Sequence, residues 1–337
     1  MTFDFSYIAG DCDTAPAGYP MELRKRDFDP KSPTFGQDLM VIPIFGPDSV
    51  GQGIELLEGY SGFYDTPITQ VRENYAYQEG STPSDYPRVE ERILDFRLGV
   101  KGRNWDEYMQ VETLLWWVMK PAAGKSRDFI LRLYHGPGED DWREIKIRLE
   151  RTPKDLMKRG PGLFKAQAWD ITALACDPYW YSLELQDTVT FDTGTGSGAT
   201  RVSERTLVVS NFADQPSWLQ YASNELEANS TFTLPDALAV YPADHTLAGQ
   251  RIKFTLPTLG VGKSFLVRTN PMDITLESYD DSQVVALMDD VGEFENTLPP
   301  HTVDAELPVK LVGGTVNTQL SVYAQQKWDR CFGGEAL

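Results

Sequence analysis

The stretch Arg92-Ile93-Leu94-Asp95-Phe96-Arg97-Leu98-Gly99-Val100-Lys101 sets the fold class. Leu94, Phe96, Leu98 and Val100 alternate with Asp95, Arg97 and Lys101, and a period of two turns the first set to one face of a sheet and the second to water. Working outward, Phe129-Ile130-Leu131-Arg132-Leu133-Tyr134 and Ile145-Lys146-Ile147-Arg148-Leu149-Glu150 repeat the alternation. Gly136-Pro137-Gly138 and the acidic residues after it supply a loop between them, which predicts an antiparallel hairpin. The run from Phe164 to Cys176 places Trp169, Ile171, Ala173 and Ala175 on one face and Asp170 and Thr172 on the other, as in a closing strand.

Between the first two of these strands, Tyr108, Val111, Leu114 or Leu115, and Val118 recur at three-to-four spacing and predict a helix over residues 106–120. Asn104 or Asp106 caps its start, and Pro121, which has no amide donor, ends it. Trp116 and Trp117 are consecutive and therefore about 100° apart on the helix, so they cannot share one narrow core stripe. One of them is expected to face a second element or a neighbouring subunit.

After Ser182 the texture changes. Thr193-Gly194-Thr195-Gly196-Ser197-Gly198 has almost no side chains to pack and reads as a linker or an exposed hairpin loop. Beyond it, residues 206–210, 230–234, 251–256, 264–268, 274–277, 309–312 and 319–323 are short β-prone runs separated by Gly, Pro, Asn and Asp, without helical patterning. The chain is thus expected to be mainly β. A β-rich domain with one principal helix covers residues 1–187, a linker or extended hairpin 188–205, and an all-β sandwich 206–337.

The length of 337 residues supports two domains, and a hydrophobic fraction of 41% is enough to fold them. A net charge of −19 disfavours a nucleic-acid partner, because counterion release needs a basic patch. Arg24-Lys25-Arg26 is short, is followed by Asp27 and Asp29, and reads as a solvated turn or a subunit contact. Cys12, Cys176 and Cys331 form neither a paired framework nor a zinc motif. The beginning Met1-Thr2-Phe3-Asp4-Phe5 lacks the basic and apolar regions of a secretory signal, and no stretch is apolar enough to span a bilayer. Synthesis in a reducing cytoplasm is expected, with no membrane partner.

Motifs for catalysis or cofactors do not assemble. Ala122-Ala123-Gly124-Lys125-Ser126 and Gly260-Val261-Gly262-Lys263-Ser264 end like phosphate loops, but Met119 and Pro257 stand where the leading glycine belongs. The first follows a helix and the second links two strands, the wrong context for phosphate. His135, His245 and His301 lie in separate loop-like settings. The carboxylate pairs Glu90-Glu91, Asp280-Asp281 and Asp289-Asp290 and the run Glu139-Asp140-Asp141 read as solvated loops. No enzyme, no cofactor and no metal site are expected.

Asp177-Pro178-Tyr179-Trp180-Tyr181-Ser182 gathers three aromatics just after a strand. It reads either as an aromatic plug over the end of a β-core or as a plug that also fixes a domain junction or a subunit contact, since Trp and Tyr dominate interface energetics. Trp218 and Tyr241 are candidate stacking platforms for a glycan or contacts for a fibre. That role would make the chain a carbohydrate-binding module for host attachment.

In series, these segments resemble the distal tail proteins of siphophages, especially minor tail proteins of phages infecting actinobacteria. The resemblance runs through Arg92 to Val100 with Lys101-Gly102-Arg103, Leu114-Leu115-Trp116-Trp117, Pro121, Ala168-Trp169, and Ala175-Cys176-Asp177-Pro178-Tyr179-Trp180. It continues through Asn211-Phe212-Ala213-Asp214-Gln215-Pro216-Ser217-Trp218, Leu298-Pro299-Pro300-His301-Thr302, residues 309–314 and Trp328-Asp329-Arg330. It implies an N-terminal belt domain forming a hexameric ring around the tail channel, and a C-terminal galectin-like β-sandwich pointing outwards. The galectin sugar-binding signature is not recognisable. The implied partners are further copies of the chain, the tail-tube protein, and the tail hub, spike or fibre proteins, with the virion's distal tail as the location. DNA would pass through the ring without specific binding, past an acidic lining.

Overall fold

A computed structural model describes residues 20–334, apart from 30, 47–48, 50–52, 74–78, 85–86, 121–125, 137, 158–159, 244, 274–275 and 279–292. Residues 122–125 of the first Gly-Lys-Ser stretch, the pairs at 280–281 and 289–290, Cys12, Pro121 and the first residues of the chain therefore lie outside the described residues. The chain divides into two compact units, residues 1–182 with 329–333 and residues 183–328 with 334–337.

In the first unit, β1 (Met21–Arg26), β2 (Asp38–Phe45) and β3 (Ile54–Ser61) come first. An arm follows, made of β4 (Ile68–Thr69), β5 (Arg72–Glu73), β6 (Thr82–Pro83) and β7 (Arg88–Val89). Then come β8 (Arg92–Lys101), the helix α1 (Trp105–Met119), β9 (Phe129–Tyr134), β10 (Trp142–Leu149), β11 (Lys154–Asp155), α2 (Pro161–Phe164), β12 (Ala166–Ala175) and β13 (Trp180–Tyr181). The strand order is β2-β1-β9-β10-β12-β8-β3, with β11 on β12 and β13 on β10.

The alternation read from β8 holds. Leu94, Phe96, Leu98 and Val100 are fully buried, and β12 pairs with β8 from Ala166↔Lys101 to Ala175↔Arg92. Phe164 is not in this strand as expected: Pro161 at the first helical position starts the short α2, which ends at Lys165 in the left-handed region before β12 begins. The β9–β10 hairpin is antiparallel, with Leu131 opposite Ile145. Asn104 is the helix cap, its side chain accepting the Glu107 amide at 2.9 Å.

One expectation fails at β1. Arg24-Lys25-Arg26 is a strand and not a turn, because Leu23 of the same strand is core and Met21–Arg26 pairs with both β2 and β9. Alternation then sends Arg24 and Arg26 to one face and Lys25 to the other. Lys25 is buried, and its ammonium donates to the carbonyls of Ser126 (2.6 Å) and Asp128 (2.8 Å).

The second unit is mainly β, with no α-helix among its described residues. Its main strands are β14 (Leu185–Thr190), β15 (Val202–Asn211), β16 (Leu219–Ser223), β17 (Ser230–Val240), β18 (Arg251–Thr255), β19 (Phe265–Arg268), β20 (Leu276–Ser278), β21 (Thr302–Gly313) and β22 (Gln319–Ala324). They form two antiparallel sheets, β14-β22-β16-β19-β20 and β15-β21-β17-β18. One core lies between them, including Phe191, Leu207, Tyr221, Phe232, Val267, Leu307, Leu311 and Val322. It is a β-sandwich.

Residues 188–205, expected as a linker or extended hairpin, belong in the structure to this sandwich. β14 pairs with β22 along its whole length, from Leu185↔Ala324 to Thr190↔Gln319, while β15 pairs with β21 in the other sheet. The Gly-rich stretch between them crosses from sheet to sheet and is pinned by reciprocal backbone hydrogen bonds between Thr195 and Val202 at 2.9 and 2.8 Å. The sandwich therefore begins at Leu183, and the chain's late residues 329–333 belong to the first unit rather than to the second.

Candidate assembly surfaces

Arg92 has the same parity as Leu94 and Phe96, so its side chain enters the core with theirs and is fully buried. A guanidinium there must have every N–H satisfied, because an unpaired buried donor costs about 1–3 kcal/mol. Its Nε donates to the Pro178 carbonyl (2.6 Å), and Nη1 donates to the carbonyls of Gly62 (3.0 Å) and Tyr64. Its Nη2 donates to Thr66 Oγ1 (2.9 Å) and to the Asp329 carbonyl (2.7 Å). One side chain thus joins the root of the arm, the aromatic segment and the returning C-terminal residues.

Arg143, also fully buried, holds the late residues as well. It donates to the carbonyls of Arg330 (2.9 Å) and Gly333 (2.6 Å). Between them Cys331 is buried, and burial pushes its thiol up to about 11 despite the two nearby arginines. Asp329 Oδ1 accepts the Thr66 amide at 3.1 Å, and Arg330 pairs with Asp65 at 2.5 Å. Residues 329–333 are therefore a structural part of the first unit.

The segment 177–182 is the plug expected from its aromatics. Trp180 is fully buried, its indole donates to the Phe63 carbonyl at 3.1 Å, and its ring lies 6.2 Å from that of Phe63, which in turn packs edge-on against Phe96. Pro178 is buried as well, while Tyr179 and Tyr181 are half-buried and Asp177 is exposed. Burial, with the Asp177 carboxylate that accepts its hydroxyl, pushes the Tyr181 phenol up.

The tryptophan pair on α1 splits as its spacing requires. Trp116 packs edge-on against Trp169 with centroids 5.0 Å apart, and Trp117 stays exposed. Trp105, Met109 and Leu114 are exposed on the same helix, and Leu163 and Phe164 on α2. Sequence reading missed Trp105 and Met109. Met109 and Trp117, about 80° apart, face away from the buried Tyr108, Leu115 and Val118, and that spacing was the available signal, whereas the Trp105 ring packs on Tyr108 with centroids 5.4 Å apart.

The outward face of β1, β9 and β10 carries a closed charge network. Asp38 accepts from Arg24 (2.5 Å) and Arg26 (2.8 Å), Glu144 from Arg26 (2.5 Å) and Arg132 (2.6 Å), and Glu22 from Arg24 (2.5 Å). Burial pushes the Asp38 carboxyl up, but the hydrogen bonds and charges of Arg26 and Arg24 outweigh that and hold it below the ordinary carboxylate range.

In the second unit, Trp218 and Tyr241 are both half-buried. One ring face of Tyr241 is taken by His245, stacked at 4.3 Å with an interplanar angle of 11°, and His245 Nδ1 accepts the Leu247 amide. Among the described residues, no group of three or more His, Cys, Asp or Glu side chains is placed to hold a metal ion. No helix of the described residues is long and apolar enough to cross a membrane.

The first unit is β-rich with a single long helix and is stapled by the chain's own late residues, and the second is a β-sandwich. The chain's fold is that of the siphophage distal tail proteins. The structure superimposes on the crystal structure of the Dit protein (gp 19.1) of phage SPP1, described as a paradigm of the hub adsorption apparatus in phages infecting Gram-positive hosts. The TM-score is 0.52 at 12% sequence identity, over 91% of this chain and 98% of that one. In sequence the chain is similar to minor tail protein Gp27 of Mycobacterium phage L5, 24% identical over 333 residues that cover 84% of this chain and 93% of the relative. No family model matches. At the level of fold, the resemblance read from the residues is borne out.

Proposed function

We propose that the chain is a structural protein of a phage tail. Copies of it form a hexameric ring at the tail's distal end, and the ring joins the tail-tube protein to the hub, spike or fibre proteins. The observation that carries this reading is the two-unit β architecture, shared over 91% of the chain with a protein described as a paradigm of a hub adsorption apparatus. The similar mycobacteriophage protein is named a minor tail protein. The exposed apolar side chains of α1 also support it, since Trp and Met are enriched where proteins meet. In this reading the first unit builds the ring and the sandwich offers the outward surface. The acidic balance of the chain keeps DNA from adhering as it passes.

The test is imaging of the purified chain by negative stain, with mass photometry across micromolar concentrations. Rings of hexameric mass, single or doubled, are expected, and labelled antibody should mark the distal tip of virions. A chain that stays monomeric and does not assemble when tail-tube or hub protein is added overturns the reading.

A further inference from the structure

Among its described residues, the arm formed by β4 to β7 has no buried core of its own. β4 pairs with β7 through Ile68↔Val89 and Thr69↔Arg88, and β5 with β6 through Arg72↔Pro83 and Glu73↔Thr82. Every residue of these four strands is exposed, and Ile68, Val71 and Val89 are between 42% and 60% exposed. A two-stranded ribbon is marginally stable in water by itself. Yet the root of this one is firmly held. Gly62, in the left-handed region, lies so close to the Ile93 carbonyl that any side chain would collide with it. Arg92 holds Gly62, Tyr64 and Thr66, and Phe63 is buried beneath Trp180. The fold thus fixes the base of a ribbon whose shaft it does not cover.

The same unit leaves a second surface uncovered, the face of α1 bearing Met109 and Trp117, which are 44% and 42% exposed. The arm re-enters the sheet at Arg92 and the helix begins just past Lys101, so the ten residues of β8 separate the two. At ~3.3 Å per residue that is about 30 Å. Farther along the helix, Trp116 packs on Trp169, whose partner in β8 is Leu98, still about 20 Å from Arg92 by the same rise. Within one chain the two surfaces do not meet, and the exposure of both records it.

We propose that the shaft of the arm packs on the α1 face of a second copy of this chain. The occupant is a copy, because a head-to-tail contact gives every subunit one arm to donate and one face to fill, and ring closure then leaves none over. The outward face of β1 is a poorer receptor, because Glu22, Asp38 and Glu144 are already neutralised by Arg24, Arg26 and Arg132. Size agrees as well. A stable interface takes about 20–30 residues a side, and the described residues between Thr66 and Glu90 supply about half to three-quarters of that from one element. The proposal rests on the ring reading above and names the contact that would build it.

Two full-length variants test this. Ile68→Asp with Val89→Lys removes the apolar pair from the arm while giving the ladder a charge pair in its place. Met109→Lys with Trp117→Lys spoils the receiving face at exposed positions. Both should keep the parent's circular dichroism and thermal midpoint. By native mass spectrometry, each alone is expected to lose the ring at concentrations where the parent is assembled. Mixed together they should form a one-to-one heterodimer, since one arm and one face remain intact between them. Rings of parental mass from either variant, or no heterodimer on mixing, overturn the arm-to-helix contact and leave the ring reading standing. A parent chain that never assembles overturns both.

Discussion

The Nε of Arg92 donates to the carbonyl of Pro178 across 86 residues of sequence at 2.6 Å, in the interior of the first unit. Four further hydrogen bonds leave the same guanidinium. Arg92→Met is expected to destabilise the unit by on the order of 3 kcal/mol or more, because several buried carbonyls lose their donor together. Arg92→Lys should recover little, since one ammonium cannot reproduce a planar fork. Urea unfolding of both variants, with an unchanged slope, checks this.

Trp180→Ala removes the largest fully buried side chain of the unit and orphans the Phe63 carbonyl. A loss of about 3–5 kcal/mol is expected from the cavity it leaves. Tryptophan fluorescence and thermal midpoint should both show it, and a shift within one degree would mean the segment is only a surface turn.

The sandwich should be separable at the boundaries its strands define. A fragment of residues 183–328 retains β14 against β22 and is expected to unfold cooperatively. A fragment starting at 199 loses β14 and exposes the edge of β22, and should be markedly less stable or aggregate. Conversely, a chain ending at Trp328 deprives Arg92 and Arg143 of their C-terminal acceptors. Limited proteolysis should then cut the first unit faster than in the full chain.

Asp38 makes stability depend on pH in a defined direction. Its folded carboxyl is held below the ordinary value, so the unfolded state takes up the proton first. Its contribution is fully present above the ordinary value near ~4 and is lost as pH falls through the lower folded value. The gap in urea midpoint between the parent and Asp38→Asn should therefore be widest at neutral pH and shrink below about pH 4. A gap that widens with acid would contradict the network.

The two adjacent tryptophans should behave oppositely. Trp116→Ala breaks the contact with Trp169 and is expected to cost about 2 kcal/mol or more in stability. Trp117→Ser, at an exposed position, should stay within about 0.5 kcal/mol of the parent. Equal losses measured by thermal unfolding would mean both rings are core.

The sequence by itself determined the elements whose side chains repeat with a local period. Residues 92–101, 129–134 and 145–150 declared strands because alternate residues must face one sheet side. Residues 106–120 declared a helix by three-to-four spacing, and the aromatics of 177–182 declared a buried plug. Arg92 shares the parity of Leu94 and Phe96 but was not read as core, because a charge at that parity gains meaning only with its acceptors. Those acceptors come from residues 62–66, 178 and 329, brought together by chain reversals that no local period encodes. Tertiary structure alone decided that residues 185–190 are a strand, because Leu185–Thr190 gains its order by pairing with β22 more than a hundred residues later. It alone returned residues 329–333 to the first unit, and it alone separated a held root from an uncovered shaft in the arm. Hydrogen-bond satisfaction of buried groups is a property of the folded interior, and that requirement, rather than any propensity of residues 329–333, fixes where the chain's late residues lie.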